Sequence, residues 1–124
     1  MVVLDAINSD ISDLIPINVS DSFVINSNCS GHVKAFYFKK LKLIFLAVSV
    51  NTNSSEQPYT AEIISNIPSK YRPITNSAIP STVRTSSLNL TCGEISVRQT
   101  GGVINITNSW MAVSGYGFYF CVGD

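Results

Sequence analysis

Polar and apolar residues alternate along most of this chain, but the period changes once, near residue 15. Before that point Leu4, Ile7, Ile11 and Leu14 recur at spacings of three and four, with Asp5, Asn8, Ser9, Asp10 and Asp13 between them. Such spacing is the a/d seam of a heptad, and isoleucine in the seam favours three or more strands over two. The pattern predicts either a stub of helical neck over residues 1–14 or a linker. Pro16 ends any helix before it.

From Ile15 the period is two. Ile15, Ile17, Val19, Phe23 and Ile25 alternate with Asn18, Ser20, Ser22 and Asn26, which predicts a half-buried strand or two short ones broken at Asp21. Asn26–Gly31 is a loop. Val33–Phe38 and Leu41–Val50 form the arms of a hairpin turning at Lys39-Lys40. The second arm is apolar on both faces, with Leu43, Phe45 and Ala47 on one and Ile44, Leu46, Val48 and Val50 on the other. An antiparallel strand normally keeps one wet face, so a neighbouring subunit is expected to cover the second. Tyr59–Ile67 reads as a strand, Pro68–Pro80 as a long ordered loop, and Thr82–Cys92 as a β-prone stretch with Leu88, Leu90 and Cys92 on one face.

The clearest hairpin follows. Glu94–Arg98 carries Ile95 and Val97 inward, glycines 101 and 102 supply the turn, and Val103–Thr107 returns with Ile104 and Ile106 inward. In the last strand, Val113–Val122, the aromatic residues Tyr116, Phe118 and Phe120 face one way and Gly115, Gly117, Tyr119 and Cys121 the other. Small residues on one face permit close approach by another backbone or ring. Short strands with turns at regular intervals predict an all-β fold, an antiparallel β-sandwich or jelly roll, occupying residues 15–124 after the stub.

Composition sharpens this. The chain of 124 residues is 45% hydrophobic and only 13% charged, with eight basic residues against eight acidic ones. Soluble domains carry about 25% charged residues. A chain this apolar is not disordered, and it is expected to hide surface against a partner. There is no basic excess for nucleic acid; Lys39, Lys40 and Lys42 read as a charged turn. The longest apolar run, Leu43–Val48, is far short of a bilayer span, and Met1–Leu14 lacks the basic start of a secretory signal. Cys29, Cys92 and Cys121 match no disulfide scaffold and read as free thiols of a protein made in a reducing cytoplasm.

Catalytic and metal chemistry find little footing. His32 is the only histidine, and no nucleophile-elbow pattern places it beside a serine and an acid. Cys29 and His32 form a Cys-x-x-His pair with no second pair at ligand spacing. The carboxylates Glu56, Glu62 and Glu94 fall at polar or outward positions, not as a facing pair. The expectation is a protein that is no enzyme and holds no cofactor or metal.

One element is distinctive. Ile67-Pro68-Ser69-Lys70-Tyr71-Arg72-Pro73 is followed by a hydrophilic loop. Then come the hairpin Glu94-Ile95-Ser96-Val97-Arg98-Gln99-Thr100-Gly101-Gly102-Val103-Ile104-Asn105-Ile106 and a final aromatic strand. This order resembles the C-terminal head domains of phage tail-fibre and baseplate receptor-binding proteins. Such heads are similar to trimeric jelly rolls of the tumour-necrosis-factor type. The resemblance implies a homotrimeric head in the virion, at a tail-fibre or baseplate tip, made in the host cytoplasm. It would bind host cell-surface polysaccharide and contact other tail or baseplate proteins, without nucleic acid or membrane insertion. The alternative from a different class is an oligomerising cap or connector that binds no sugar.

Candidate residues follow. Trp110, beside Thr107-Asn108-Ser109, is either an exposed platform for a pyranose or a cover over the end of the sandwich. Asn108, Arg84, Tyr59 and His32 are the polar groups that would complete a saccharide site. Ile44, Leu46, Val48 and Tyr119 are the candidate trimer interface. Tyr71 and Arg72 read either as ligand groups or, held between two prolines, as a ring capping the core edge and a guanidinium satisfying loop carbonyls.

Overall fold

The computed structural model describes residues 14–52, 61–85, 89–105 and 110–124. Their strands are β1 (Ile17–Asn18), β2 (Cys29–Phe38), β3 (Leu43–Thr52), β4 (Glu62–Ile64), β5 (Ser77–Arg84), β6 (Leu90–Val97), β7 (Val103–Asn105) and β8 (Ala112–Phe120). All pairings are antiparallel, in the order β1-β2-β3-β8-β5-β6-β7-β4. The sheet folds over at the β8–β5 junction into a two-layer sandwich, with β1, β2, β3 and β8 in one layer and β5, β6, β7 and β4 in the other. In the second layer β4 lies beside β7, outside the β5-β6-β7 meander, which is a Greek-key arrangement. The far edge returns to the first layer through a bridge between Ile25 and Ile64 and the Asn26 N–H donating to the Ile63 carbonyl.

The fold-over has a sequence cause. Pairing of β5 with β8 runs from Arg84–Ala112 to Ser81–Gly115 and stops. Pro80 is next in register and has no N–H to extend the ladder. Gly115 lets the strands cross closely there, since a Cβ at that position would meet the Pro80 carbonyl oxygen at 2.5 Å. Beyond the crossing, Ile79 lies over Gly117, where a Cβ would come within 3.3 Å of its Cγ2. The small face of β8 is therefore the inner one.

Both layers feed one core. Ala35, Tyr37, Ile44, Leu46, Val48, Val50, Val113 and Tyr119 come from the first, and Ile63, Ile64, Ile79, Val83, Ile95, Val97 and Val103 from the second. The outermost strands are short, with two residues in β1 and three in β4, and β1 pairs only with Phe36 and Tyr37 of β2. After β1 the chain breaks at Asp21 into the 3-10 turn Ser20–Ser22. There the Ser20 hydroxyl replaces a ladder partner, accepting the Ala35 N–H at 2.9 Å.

Several boundaries differ from the sequence pattern. Cys29–Gly31 belongs to β2, and the β2–β3 turn spans Lys39–Lys42 with Lys42 at φ 50°. The strand expected over Tyr59–Ile67 is, among described residues, only Glu62–Ile64. The Pro68–Pro80 loop ends early, because β5 begins at Ser77, and Thr82–Cys92 is the end of β5 and the start of β6. The start of β5 was missed because Pro80 and the serines mask the alternation of Ile79 and Val83 into the core. Ile95 and Val97 point inward as expected, together with Val103. The side chains of Ile104 and Ile106, Leu88, and the neck over 1–13 lie outside the described residues; Leu14 lies in a turn.

Candidate functional site

Strand alternation gives the outer surface of β2, β3, β8 and β5 a graded composition. Cross-strand rows run Phe38–Leu43–Phe120, then Phe36–Phe45–Phe118, Lys34–Ala47–Tyr116, His32–Ser49–Ser114–Thr82 and finally Ser30–Asn51–Ala112–Arg84. One end is aromatic and the other is small and polar, and Tyr116 stands between them.

In the aromatic half, Tyr116, Phe118 and Phe120 are 70%, 58% and 60% exposed. At about 200 Å² per ring, these three leave roughly 350–400 Å² of ring surface in water. Phe45 lies 5.1 Å from the Phe118 ring centroid, 6.2 Å from that of Tyr116 and 6.4 Å from that of Phe36. Pro16, Phe36, Phe38, Phe45 and Phe118 line an open hollow there. With these partly covered rings the patch reaches roughly 500–600 Å², the upper end for the largest patch of a monomer.

In the polar half, the end of β5–β8 pairing opens a hollow of about 410 Å³ between Pro80, Ser81 and Thr82 and Ser114, Gly115 and Tyr116. Two smaller hollows adjoin it through Ser114. One runs toward His32, Lys34 and Ser49, the other toward Arg84 and Leu90. Concavities of this size take small ligands. The exposed groups around them are hydroxyls, a histidine, a lysine and the Tyr116 phenol ring.

The structure redistributes the candidate residues. His32 and Arg84 share this face, three strand spacings apart across the sheet and one row apart along it, about 16 Å in all. Trp110 is not the exposed platform: it is fully buried and closes the core. Tyr59 and Asn108 lie outside the described residues. Ile44, Leu46, Val48 and Tyr119, the interface expected from sequence, are 0%, 0%, 3% and 3% exposed inside a single chain. They line the face that the second layer covers, so the surface open to a partner is the opposite one, carrying Phe45, Phe118 and Phe120. The residues that sequence reasoning passed over are Tyr116, Lys34, Ser49, Ser114 and Thr82. The signal for them was already in β8, where glycines on one face mark the side that another strand crosses.

Tyr71 and Arg72 are structural. The Tyr71 ring is buried against Phe23 (6.1 Å between centroids) and Tyr37 (5.2 Å), with the Lys70 ammonium 5.1 Å from its centre. Its carbonyl accepts the Tyr119 hydroxyl at 2.7 Å. Burial raises the Tyr119 phenol far above its ordinary pKa, and burial likewise raises Tyr37 and the thiols of Cys29 and Cys121. The Arg72 Nε–H donates to the Ile67 carbonyl at 2.7 Å, while the Ile67 N–H donates to the Gly101 carbonyl at 3.0 Å. Gly101, at φ 95°, leaves the space the guanidinium occupies, since a Cβ there would come within 2.8 Å of Nε. The Ile67–Pro73 element and the β6–β7 turn thus meet in space. The element also receives the C-terminus, accepting the Val122 and Gly123 N–H groups at the Arg72 and Lys70 carbonyls.

Alternation also separates Cys29 from His32: the thiol is buried and the imidazole is on the outer surface. Among the described residues no three His, Cys, Asp or Glu side chains gather as a metal site, and no helix is long and apolar enough to cross a membrane. No protein-family model, curated protein or solved structure matches the chain.

Proposed function

We propose that this domain is a saccharide-recognising adhesion head that works as an oligomer, of the kind its sequence resembles at the tips of phage tail fibres and baseplates. The observation that carries the reading is the graded outer face of β2, β3, β8 and β5. Its aromatic half is matched to a neighbouring copy, and its polar half, edged by Tyr116, to a sugar. An apolar patch this large in a chain with so little charge favours a covering subunit. Pro16 lies against the patch, so the chain before it joins the domain there. Tyr116 supplies what a pyranose needs, an apolar ring beside hydroxyl donors and acceptors.

The aromatic half alone also favours a second reading, a cap or connector that joins its neighbours and binds no sugar. Two measurements on the wild-type protein separate them. Light scattering over a dilution series is expected to give a trimer that persists, and a panel of bacterial surface polysaccharides is expected to contain at least one saturable ligand. A persistent oligomer with no ligand in the panel favours the cap. A monomer at every concentration overturns the oligomeric head.

A further inference from the structure

We infer that the saccharide taken by the polar half is acidic, its ring seated on Ala47 between Tyr116 and Lys34 with its carboxylate toward Lys34. The inference rests on the adhesion reading above and names the ligand class and the subsite. Lys34, Ala47 and Tyr116 form one cross-strand row. The two outer residues stand two strand spacings apart, about 10 Å. Ala47, the smallest side chain of the row, leaves the floor between them low, and a hollow runs over it from His32 to Tyr116. A single sugar ring fits that interval. It would have the phenol ring as a wall on one side and an ammonium on the other. The hydroxyls of Ser49 and Ser114 lie in the next row.

The charge distribution selects the class. The neighbours of Lys34 on this face are Ala47, His32, Phe36, Ser49 and Phe45, none of them negatively charged. Further along the same face is Arg84, also basic. Among the described residues the acid on the outward side of these strands and β6 is Glu94, which stands opposite Pro80 beyond β5, and Asp21 lies in the 3-10 turn alongside Ala35 without pairing with Lys34. Lys34 is thus an exposed cation placed where a sugar would sit, and among the described residues no carboxylate forms an ion pair with it. A carboxylate on the sugar completes the arrangement with a charge-assisted hydrogen bond. A neutral sugar leaves the ammonium contributing nothing specific.

The test is a titration of the intact protein, followed by NMR, with sialyllactose and an oligogalacturonate as acidic probes and lactose and maltohexaose as neutral ones. The acidic probes are expected to bind. Lys34→Gln and Tyr116→Ala, both at exposed positions, should each weaken that binding by more than about tenfold, while spectra and solution mass stay those of the wild type. Raising the salt concentration should weaken it as well. Neutral probes binding equally well, with Tyr116→Ala still disruptive, would overturn the acidic class and keep the sugar site. Acidic probes binding with no loss in either variant would overturn the subsite and leave the adhesion reading standing. Failure of every probe, and of the polysaccharide panel, would overturn both.

Discussion

Replacing Phe118 with glutamate tests the assignment of the aromatic face to a neighbouring copy. Phe118 is 58% exposed on the middle of the patch, which for a phenylalanine leaves about 115 Å² of its surface in water. Covering that area contributes about 3 kcal/mol per protomer at 25 cal/mol/Å². Phe118→Glu forfeits this term and places a carboxylate against apolar rings, so each contact should weaken by at least about a hundredfold. The fold should tolerate the change, because the ring points away from the core and loses chiefly its contact with Phe45, about 1 kcal/mol. Sedimentation equilibrium over a dilution series, with a thermal melt as control, reads both quantities. A variant that dissociates while keeping its melting transition fits the reasoning. A variant with unchanged mass refutes the use of this face, and one that unfolds refutes the claim that Phe118 lies outside the core.

Four further outcomes follow from the same geometry. Leu46→Ala, at a fully buried position, should destabilise by about 2–5 kcal/mol in denaturant titrations, in contrast to any change at Phe118. Gly115→Ala should cost about 2 kcal/mol or more, because its Cβ meets backbone at the crossing of β5 and β8. Arg72→Met should cost about 1–2 kcal/mol through loss of the bond to the Ile67 carbonyl, and saccharide affinity should not change; a selective loss of binding would restore Arg72 as a ligand group. Stability should fall in alkali. The thiols of Cys29 and Cys121 and the phenols of Tyr37 and Tyr119 are raised in the folded chain by burial, so the unfolded chain loses protons first. Their contribution is complete below about pH 8.5 and declines above it, through thiols and then, near pH 10, phenols. Melting temperatures measured from pH 7 to 11 check this, and a rise with pH would contradict it.

The sequence announced the class of this fold through period-two alternation, and it located the glycine hairpin and, two residues too short, the lysine turn that runs from Lys39 to Lys42, because charge and glycine mark turns directly. It hid β5, whose Pro80, Ser77 and Ser81 look like a loop until Ile79 and Val83 are seen to alternate into the core. For β3 it showed two apolar faces and pointed to Ile44, Leu46 and Val48 as the subunit contact, the face that the second layer covers. Ile44, Leu46 and Val48 are more aliphatic than Leu43, Phe45 and Ala47, but hydrophobicity alone does not say which face the same chain covers. The deciding information sat on the neighbouring strand. Gly115 and Gly117 admit β5 and Ile79 to one side of β8, and cross-strand register then fixes the inner face of β3. Trp110 stayed open between platform and cover for a related reason: polar neighbours in sequence do not prevent a side chain from turning inward, and it is buried.

Hydroxyl-radical footprinting of the wild-type protein, read by mass spectrometry with and without an acidic saccharide, tests both halves of the graded face at once. The account predicts that Phe118 and Phe120 react far more slowly than their exposure in a single chain implies, because a neighbouring copy covers them. It also predicts that Tyr116 reacts readily alone and becomes protected when the saccharide is added. Fast reaction at all three rings, unchanged by saccharide, would contradict it.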